Sequence, residues 1–236
     1  MAAGLLADRG PLFWALSADG WLWSRPGMAK PGDGTYLWSQ RAQVCSSENV
    51  MAGIAIAAAG IDGERPHLLW GVDCNGTLNF QKLEGASPAG WRPYHTEGNM
   101  QARHLASHRG ALYCCGATKQ GTTVFGLRQA QWVVQSRGRN QAIACSQTGA
   151  VYCLGMPLKD GRTFVYMQDS VEMMQPTTTW SKAFPFLSQQ GGLAVIDHDT
   201  ALALTPDGKV HRRLTDQQGE GSWSCEPPMG LTRSLA

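Results

Sequence analysis

The sequence predicts an all-β fold, a five-bladed β-propeller with four antiparallel strands in each blade. Two observations carry that expectation. Five times an apolar, aromatic-leaning run stops at a turn that ends in glycine, and a second short strand follows: PLFWALSADG-WLWSRP (11–26), PHLLWGVDCNG-TLNFQKL (66–83), ALYCCGATKQG-TTVFGLR (111–128), AVYCLGMPLKDG-RTFVYMQ (150–168) and TALALTPDG-KVHRRL (200–214). The turn glycines, Gly20, Gly76, Gly121, Gly161 and Gly208, are spaced 56, 45, 40 and 47 residues apart. Their mean of 47 tiles the 236-residue chain almost completely in five units. A period of 20–50 residues that covers a whole chain is the signature of a repeat architecture, and units of about 40–50 residues built from short strands are propeller blades.

Each unit carries more than a hairpin. After the third-strand segment comes a loop of variable length and then one tryptophan: Trp38, Trp91, Trp132, Trp180 and Trp223. Before each hairpin stands a short strand in which a small residue follows a branched one: Leu6-Ala7, Ile54-Ala55, Leu105-Ala106, Ile143-Ala144 and Leu193-Ala194. The small strand suits a crowded central channel, because alanine and glycine let backbones approach. The clearest copy, MAGIAIAAAG (51–60), has helical propensity from its alanines, but it occupies the register of four strand-like segments. The blade tryptophan suits the gap between twisted neighbouring sheets, where a large flat ring fills space. The expected blades are residues 1–48, 49–100, 101–140, 141–190 and 191–236, in one domain spanning 1–236.

Composition agrees. Twenty-eight glycines and twelve prolines supply turns, 43% apolar residues supply a core, and no long amphipathic helix is visible. The net charge of +2 comes from scattered residues, so no basic face points to nucleic acid. No apolar run approaches the ~20 residues of a membrane span, and MAAGLLADRG lacks the basic start and apolar length of a signal peptide, so an intracellular location, or secretion by an unconventional route, is expected. The seven cysteines, Cys45, Cys74, Cys114, Cys115, Cys145, Cys153 and Cys225, show neither CxxC pairs nor zinc spacing. Free thiols, no disulfide and no metal are expected.

Catalytic motifs are missing from the sequence: there is no GxSxG, HExxH, GxxxxGK[ST] or GxGxxG. The carboxylates available on inner strands, Asp8, Asp62 and Asp197, do not occupy equivalent positions, as paired acid–base work at a channel mouth would require. SADGWLW (17–23) has the serine, aspartate and tryptophan of a sialidase Asp-box, with its glycine one residue early. The plainer reading is a type I′ hairpin turn of the kind Asp-Gly favours, and Asn75-Gly76 and Asp207-Gly208 are read the same way. A non-enzymatic protein without a cofactor is expected.

The pattern of aromatic strand, (D/N)G turn, third strand and loop leading to G-W resembles the tectonin and tachylectin group of propeller lectins. LLWGVDCNGTLNFQKLEGASPAGWRPYH (68–95) is the most similar copy, and FWALSADGWLWSRP (13–26) is next. The resemblance implies a five-bladed propeller and sugar pockets between loops of neighbouring blades. Sugar recognition combines an aromatic platform with amide and carboxylate groups for hydroxyls. Residues that offer this are Asp19, Trp21 and Trp23 in the first copy, and Trp70, Asn75 and Asn79 in the second. Trp21 and Trp23 alternate on one strand, share a sheet face and could equally cover a neighbouring blade.

Two partner classes stay open: a glycan or glycoprotein, and a protein bound by a rigid scaffold whose divergent blades present different loops. The ends of the chain contain one inner-strand candidate too many. Gly4–Asp8 is expected to be the inner strand of the first blade, with residues 228–236 packing across the seam as a latch.

Overall fold

The computed structural model describes residues 2–6, 10–16, 21–26, 39–43, 45–46, 49–50, 55–59, 68–73, 75–82, 91–94, 100–108, 111–118, 121–128, 131–136, 140–146, 148–168, 180–197, 199–215 and 221–226; for the strands of the first two copies up to residue 59 this is the backbone, together with the side chain of Trp23. Every element among the described residues is a strand.

The strands form five four-stranded antiparallel sheets in chain order. Sheet 1 holds β1 (Ala2–Leu6), β2 (Gly10–Leu16), β3 (Trp21–Pro26) and β4 (Ser39–Gln43). A two-stranded hairpin of β5 (Cys45–Ser46) and β6 (Asn49–Val50) follows. Sheet 2 holds β7 (Ala55–Ala59), β8 (Leu68–Val72), β9 (Leu78–Lys82) and β10 (Arg92–Tyr94). Sheet 3 holds β11 (Gln101–His108), β12 (Ala111–Thr118), β13 (Gly121–Arg128) and β14 (Gln131–Ser136). Sheet 4 holds β15 (Asn140–Cys145), β16 (Val151–Gly155), β17 (Thr163–Gln168) and β18 (Ser181–Phe186). Sheet 5 holds β19 (Gly192–Val195), β20 (Thr200–Leu204), β21 (Val210–Thr215) and β22 (Gly221–Cys225).

Each sheet is a meander, first strand to fourth, and no strand is exchanged between sheets. The first strands β1, β7, β11, β15 and β19 are neighbours in that order. The alanine-rich run of the second copy is therefore a strand, as its register implied, because Ala55–Ala59 pairs residue for residue with Leu68–Val72. The N-terminal segment pairs with β2 over Ala2–Leu6, so it is the first strand of sheet 1. Residues 7 and 8 and the proposed latch at 228–236 lie outside the described residues.

Alternation along the strands gives each sheet two faces, and in sheets 3 and 4 both are buried against a neighbour. Leu68, Trp70, Val72 and Leu78 of sheet 2 pack on Met100, just before β11, and on Ala102, Leu112, Cys114 and Leu127 of sheet 3. The opposite face of sheet 3, with Tyr113, Cys115 and Val124, meets Ile143, Val151 and Cys153 of sheet 4. The opposite face of sheet 4, with Tyr152, Leu154, Val165, Phe184 and Phe186, meets Val195, Ala201 and Ala203 of sheet 5. Burial between the layers, at roughly 25 cal/mol per Å² of apolar surface, is the main stabilising term. Sheets 3 and 4 thus each have a back face toward the preceding sheet and a forward face toward the following one.

The blade tryptophans sit at these junctions. Trp132 stands edge-on to Tyr94 of sheet 2 at 6.4 Å and to Phe125 of its own sheet at 6.5 Å. Trp223 meets Phe184 at 6.1 Å and Phe186 at 5.7 Å, both on the last strand of sheet 4. Trp91 is buried, and Trp180 packs against the core between sheets 3 and 4. Trp38 lies outside the described residues.

Candidate functional site: the turn end of the sheets

The turns between second and third strands, and the connections from one sheet to the next, gather at the same end of the sheets, here called the turn end. Three of the second-to-third-strand turns share one hydrogen-bond pattern. The N–H of Gly76 donates to Asp73 O at 2.9 Å while Asp73 N–H donates to Thr77 O at 3.0 Å. The same two bonds join Leu158, Gly161 and Arg162, and join Thr205, Gly208 and Lys209. Gly149 repeats the motif between β15 and β16 of sheet 4.

This pattern is a three-residue loop, a type I turn closed by a left-handed glycine that forms a G1 bulge. The glycines have φ of 79°, 79°, 80° and 99° at positions 76, 161, 208 and 149. The type I′ expectation is therefore corrected at Asn75-Gly76 and Asp207-Gly208; the turn at 17–20 lies outside the described residues. At Asn75-Gly76, as in the 146–150 turn, the physical reason is the residue three positions before the glycine, whereas at Asp207-Gly208 Thr205 Oγ1 donates to Lys209 O at 3.0 Å across the loop. Asp73 Oδ1 accepts from Asn75 N–H at 2.9 Å and Thr77 N–H at 2.8 Å, and Ser146 Oγ accepts from Ala150 N–H at 3.1 Å. These side chains satisfy the amides that the extra residue leaves unpaired, which a two-residue turn would not require.

The turns also lock sheet to sheet. The Gly76 carbonyl accepts from Ala102 N–H at 2.8 Å, and a Cβ on Gly76 would stand 3.0 Å from that of Gln101. In sheet 4 a Cβ on Gly161 would stand 3.0 Å from Gln189 Nε2. Gln141 completes that contact, because its Nε2 donates to Gly155 O at 2.8 Å and to Gln189 O at 2.9 Å. The loop 156–162 and the connection 187–191 are thereby held together.

Among the described residues, Trp70 and Asn79 are not available as ligand groups. Trp70 is fully buried, 5.3 Å from Phe80 and 5.2 Å from Tyr94, so its ring belongs to the core between sheets 2 and 3. Asn79 is buried too, and its Nδ2 donates to Thr77 O at 3.0 Å, a turn bond. Both are corrected from ligand groups to structural ones, because neither presents a surface. Asn75 is exposed at the tip of the Asp73–Thr77 turn. Trp23 is half-buried and pairs across the sheet with Ala15. Trp21 opens β3, its side chain outside the described set, and Asp19 lies outside the described residues. Of the carboxylates weighed for catalysis, Asp197 caps a turn by accepting from Asp199 N–H at 3.0 Å.

Sequence reasoning missed the exposed apolar residues of the turn end. Met156 and Leu158 on the loop after β16 are 45% and 41% exposed, and Leu187, which follows β18, is 37% exposed. They stand on the two segments that Gln141 ties together. Beside them Arg162 Nη2 lies 2.6 Å from Asp160 Oδ2, and Lys159 is exposed. In sheet 5 Lys209 Nζ lies 2.8 Å from Asp207 Oδ2. The available signal was MPL in the loop of the fourth copy, apolar residues where the other copies have polar ones.

The thiols occupy apolar surroundings. Cys114, Cys115 and Cys153 are buried and free, Cys145 is half-buried and free, and Cys225 is exposed and free. Burial pushes Cys115 up to about 12 and raises Cys114, Cys145 and Cys153 further. Such thiols are poor nucleophiles and poor metal ligands. His104 is held below its ordinary value, by burial first and by Arg103 second.

No family model matches the chain, and no curated protein matches it by sequence. Solved structures do. A chain of the nidogen–laminin complex is similar over 90% of this chain and 76% of its own length, with a TM-score of 0.62 at 12% identity. YCF48 bound to D1 peptide is similar over 96% of this chain and 68% of its own, with a TM-score of 0.55 at 12% identity. A Bacteroides thetaiotaomicron protein of unknown function is similar over 95% of this chain and 58% of its own, with a TM-score of 0.59 at 9% identity. At such identity the likeness concerns fold alone, and that fold is the β-propeller.

Proposed function

We propose that the chain is a five-bladed, non-enzymatic β-propeller that recognises a partner protein through its turn end. The observation that carries this reading is the trio Met156, Leu158 and Leu187. Three large apolar side chains stand in solvent on two segments that hydrogen bonds from Gln141 hold in place. Exposed apolar groups on a rigid support mark interaction surfaces, since preformed loops lose little entropy on binding. Beside them Asp160 and Arg162 pair with each other and Lys159 is a single exposed cation, which suits an apolar protein segment with an acidic neighbour better than a polyanion. Two of the similar propellers are seen with a protein or a peptide, nidogen with laminin and YCF48 with D1 peptide, which is in keeping with the reading.

A photo-crosslinking residue placed at Leu158 tests it. Expected is a discrete adduct with a protein, lost when Leu187 is changed to Asp and not formed from the same residue placed at exposed Ser181, at the opposite end of sheet 4. Adducts of equal yield from both positions, insensitive to Leu187→Asp, would sink the proposal.

Lectin-like carbohydrate recognition, which the tectonin and tachylectin resemblance implies, is the second reading. The exposed amide of Asn75 at a turn tip is the one described group that favours it. A glycan array probed with the wild-type protein and with Asn75→Ala separates the two.

A further inference from the structure

The chain holds five asparagines, and only Asn75 is followed by glycine. An asparagine in that position is open to attack from its own backbone. The amide nitrogen of the next residue adds to the side-chain carbonyl carbon, ammonia leaves, and a five-membered succinimide remains. Water then opens the ring at either carbonyl, giving aspartate or isoaspartate. The change exchanges ammonia for water, so it needs no oxidant or reductant. Glycine favours the first step, since it has no Cβ to shield its nitrogen or restrict the turn of the chain. Asn75 is exposed at the turn tip, so water reaches its carboxamide. Asn79 and Asn140, by contrast, are buried and precede Phe80 and Gln141.

The turn withholds the nucleophile. Gly76 N–H donates to Asp73 O at 2.9 Å, so the nitrogen that must lose its proton and swing onto Asn75 Cγ is committed elsewhere. Asp73 Oδ1 fixes the two flanking amides, accepting from Asn75 N–H at 2.9 Å and Thr77 N–H at 2.8 Å. From the other side, Gly76 O accepts from Ala102 N–H at 2.8 Å. Gly76 is thus pinned through both its backbone polar groups, the N–H by Asp73 and the C=O by sheet 3. Attack requires the turn to open locally, while the rest of the fold stays closed.

We propose that Asn75-Gly76 is a deamidation site held in check by the Asp73 turn, and that its conversion loosens the junction of sheets 2 and 3. Isoaspartate routes the main chain through the former side chain and adds one methylene to the loop. The length of that loop sets the G1 bulge, and the bulge aims Gly76 O at Ala102. Either product also places a second carboxylate beside that of Asp73. The modification therefore acts on the turn that bonds one sheet to the next. This inference stands apart from protein recognition, and its test involves no partner.

The test is peptide mapping by mass spectrometry, reading amide against acid at every asparagine while the protein is incubated at pH 7.4 and 37 °C. Native protein, Asp73→Ala, Gly208→Ala and the free peptide VDCNGTL are followed together. Asn75 is expected to convert ahead of every other asparagine, about tenfold more slowly in the native protein than in the peptide. Asp73→Ala should recover about half or more of that difference on a logarithmic scale, since it frees the turn. Gly208→Ala, which strains a turn in sheet 5, should leave the rate at Asn75 unchanged. Asp73→Ser gives the same comparison if Asp73→Ala does not fold. The isoaspartate product, separated by charge, should melt about 2–4 °C below the wild type. Asn75→Asp, with the new charge on the original main chain, should melt closer to it. Equal rates in protein and peptide, equal acceleration by Asp73→Ala and Gly208→Ala, or no conversion at Asn75 in Asp73→Ala would overturn the proposal. An isoaspartate product that melts as the wild type does would overturn the loosening of the junction.

Discussion

Trp223 of sheet 5 donates its indole N–H to the carbonyl of Pro185 in sheet 4, at 3.1 Å. The proline removes a backbone donor from the outer strand, and the carbonyl beside it takes its hydrogen bond from the next sheet. The ring meanwhile lies against Phe184 and Phe186, so one side chain joins two sheets by packing and by a directed bond. Trp132 and Tyr94 repeat the packing between sheets 3 and 2.

Trp223→Phe keeps most of the packing and loses the bond. It should cost about 1 kcal/mol in urea unfolding, whereas Trp223→Ala should cost about 3 kcal/mol. Equal losses for the two variants would mean that the bond, and not the ring, carries the junction.

The turn glycines should rank by what surrounds them. A Cβ on Gly208 meets nothing within 4 Å, so Gly208→Ala should cost only the left-handed backbone penalty of roughly 1–2 kcal/mol. Gly76→Ala adds crowding against Gln101 and Ala102 and should cost more, about 3 kcal/mol. Chemical denaturation of the two variants side by side checks the order.

Asp73 should behave as a turn fastener. Removing its carboxylate leaves the Asn75 and Thr77 amides without their partner, so Asp73→Ala should cost about 1–3 kcal/mol. Asp73→Ser should cost less, because Ser146 performs the same task in sheet 4. Unfolding curves of the two variants decide this, and equal losses would show that the hydroxyl cannot substitute here.

Much of the fold was legible because its signals are periodic. Alternating apolar strands, a glycine closing each turn and one tryptophan per unit all follow from strand geometry, and they recur often enough to be counted. The turn type was not legible from Asn75-Gly76 alone, since that dipeptide fits a two-residue or a three-residue loop. The discriminating residue is Asp73, whose carboxylate holds two amides. Trp70 misled for a related reason. A tryptophan beyond one per unit suggests a platform, but its position two residues before the strand end aims it into the next sheet. The apolar trio of the turn end escaped notice because Met156 and Leu158 stand on one loop and Leu187 on another, and only Gln141 of a third segment bonds beside both.

The pH profile of stability should fall on both sides of a plateau. Burial raises the thiols of Cys114, Cys115, Cys145 and Cys153 and the phenol of Tyr113, the last to about 12. The unfolded chain releases these protons from about pH 9 while the folded chain keeps them, so stability is present below that pH and is lost as pH rises through it. His104 is depressed from 6.5, so its share is present above pH 6.5 and lost as pH falls. Thermal melts from pH 5 to 10 check both limbs. Among the described cysteines of the native protein at pH 8, Cys225 should react first with a thiol reagent, the buried ones only on unfolding.

The most direct test of protein recognition through the turn end is calorimetry with the purified partner captured through Leu158. The double variant Leu158→Asp and Leu187→Asp should weaken binding at least tenfold, about 1.4 kcal/mol, with an unchanged melting curve. Asn75→Ala, on the turn of sheet 2, should bind as the wild type does. Unchanged affinity in the double variant, together with loss of binding in Asn75→Ala, would contradict the account.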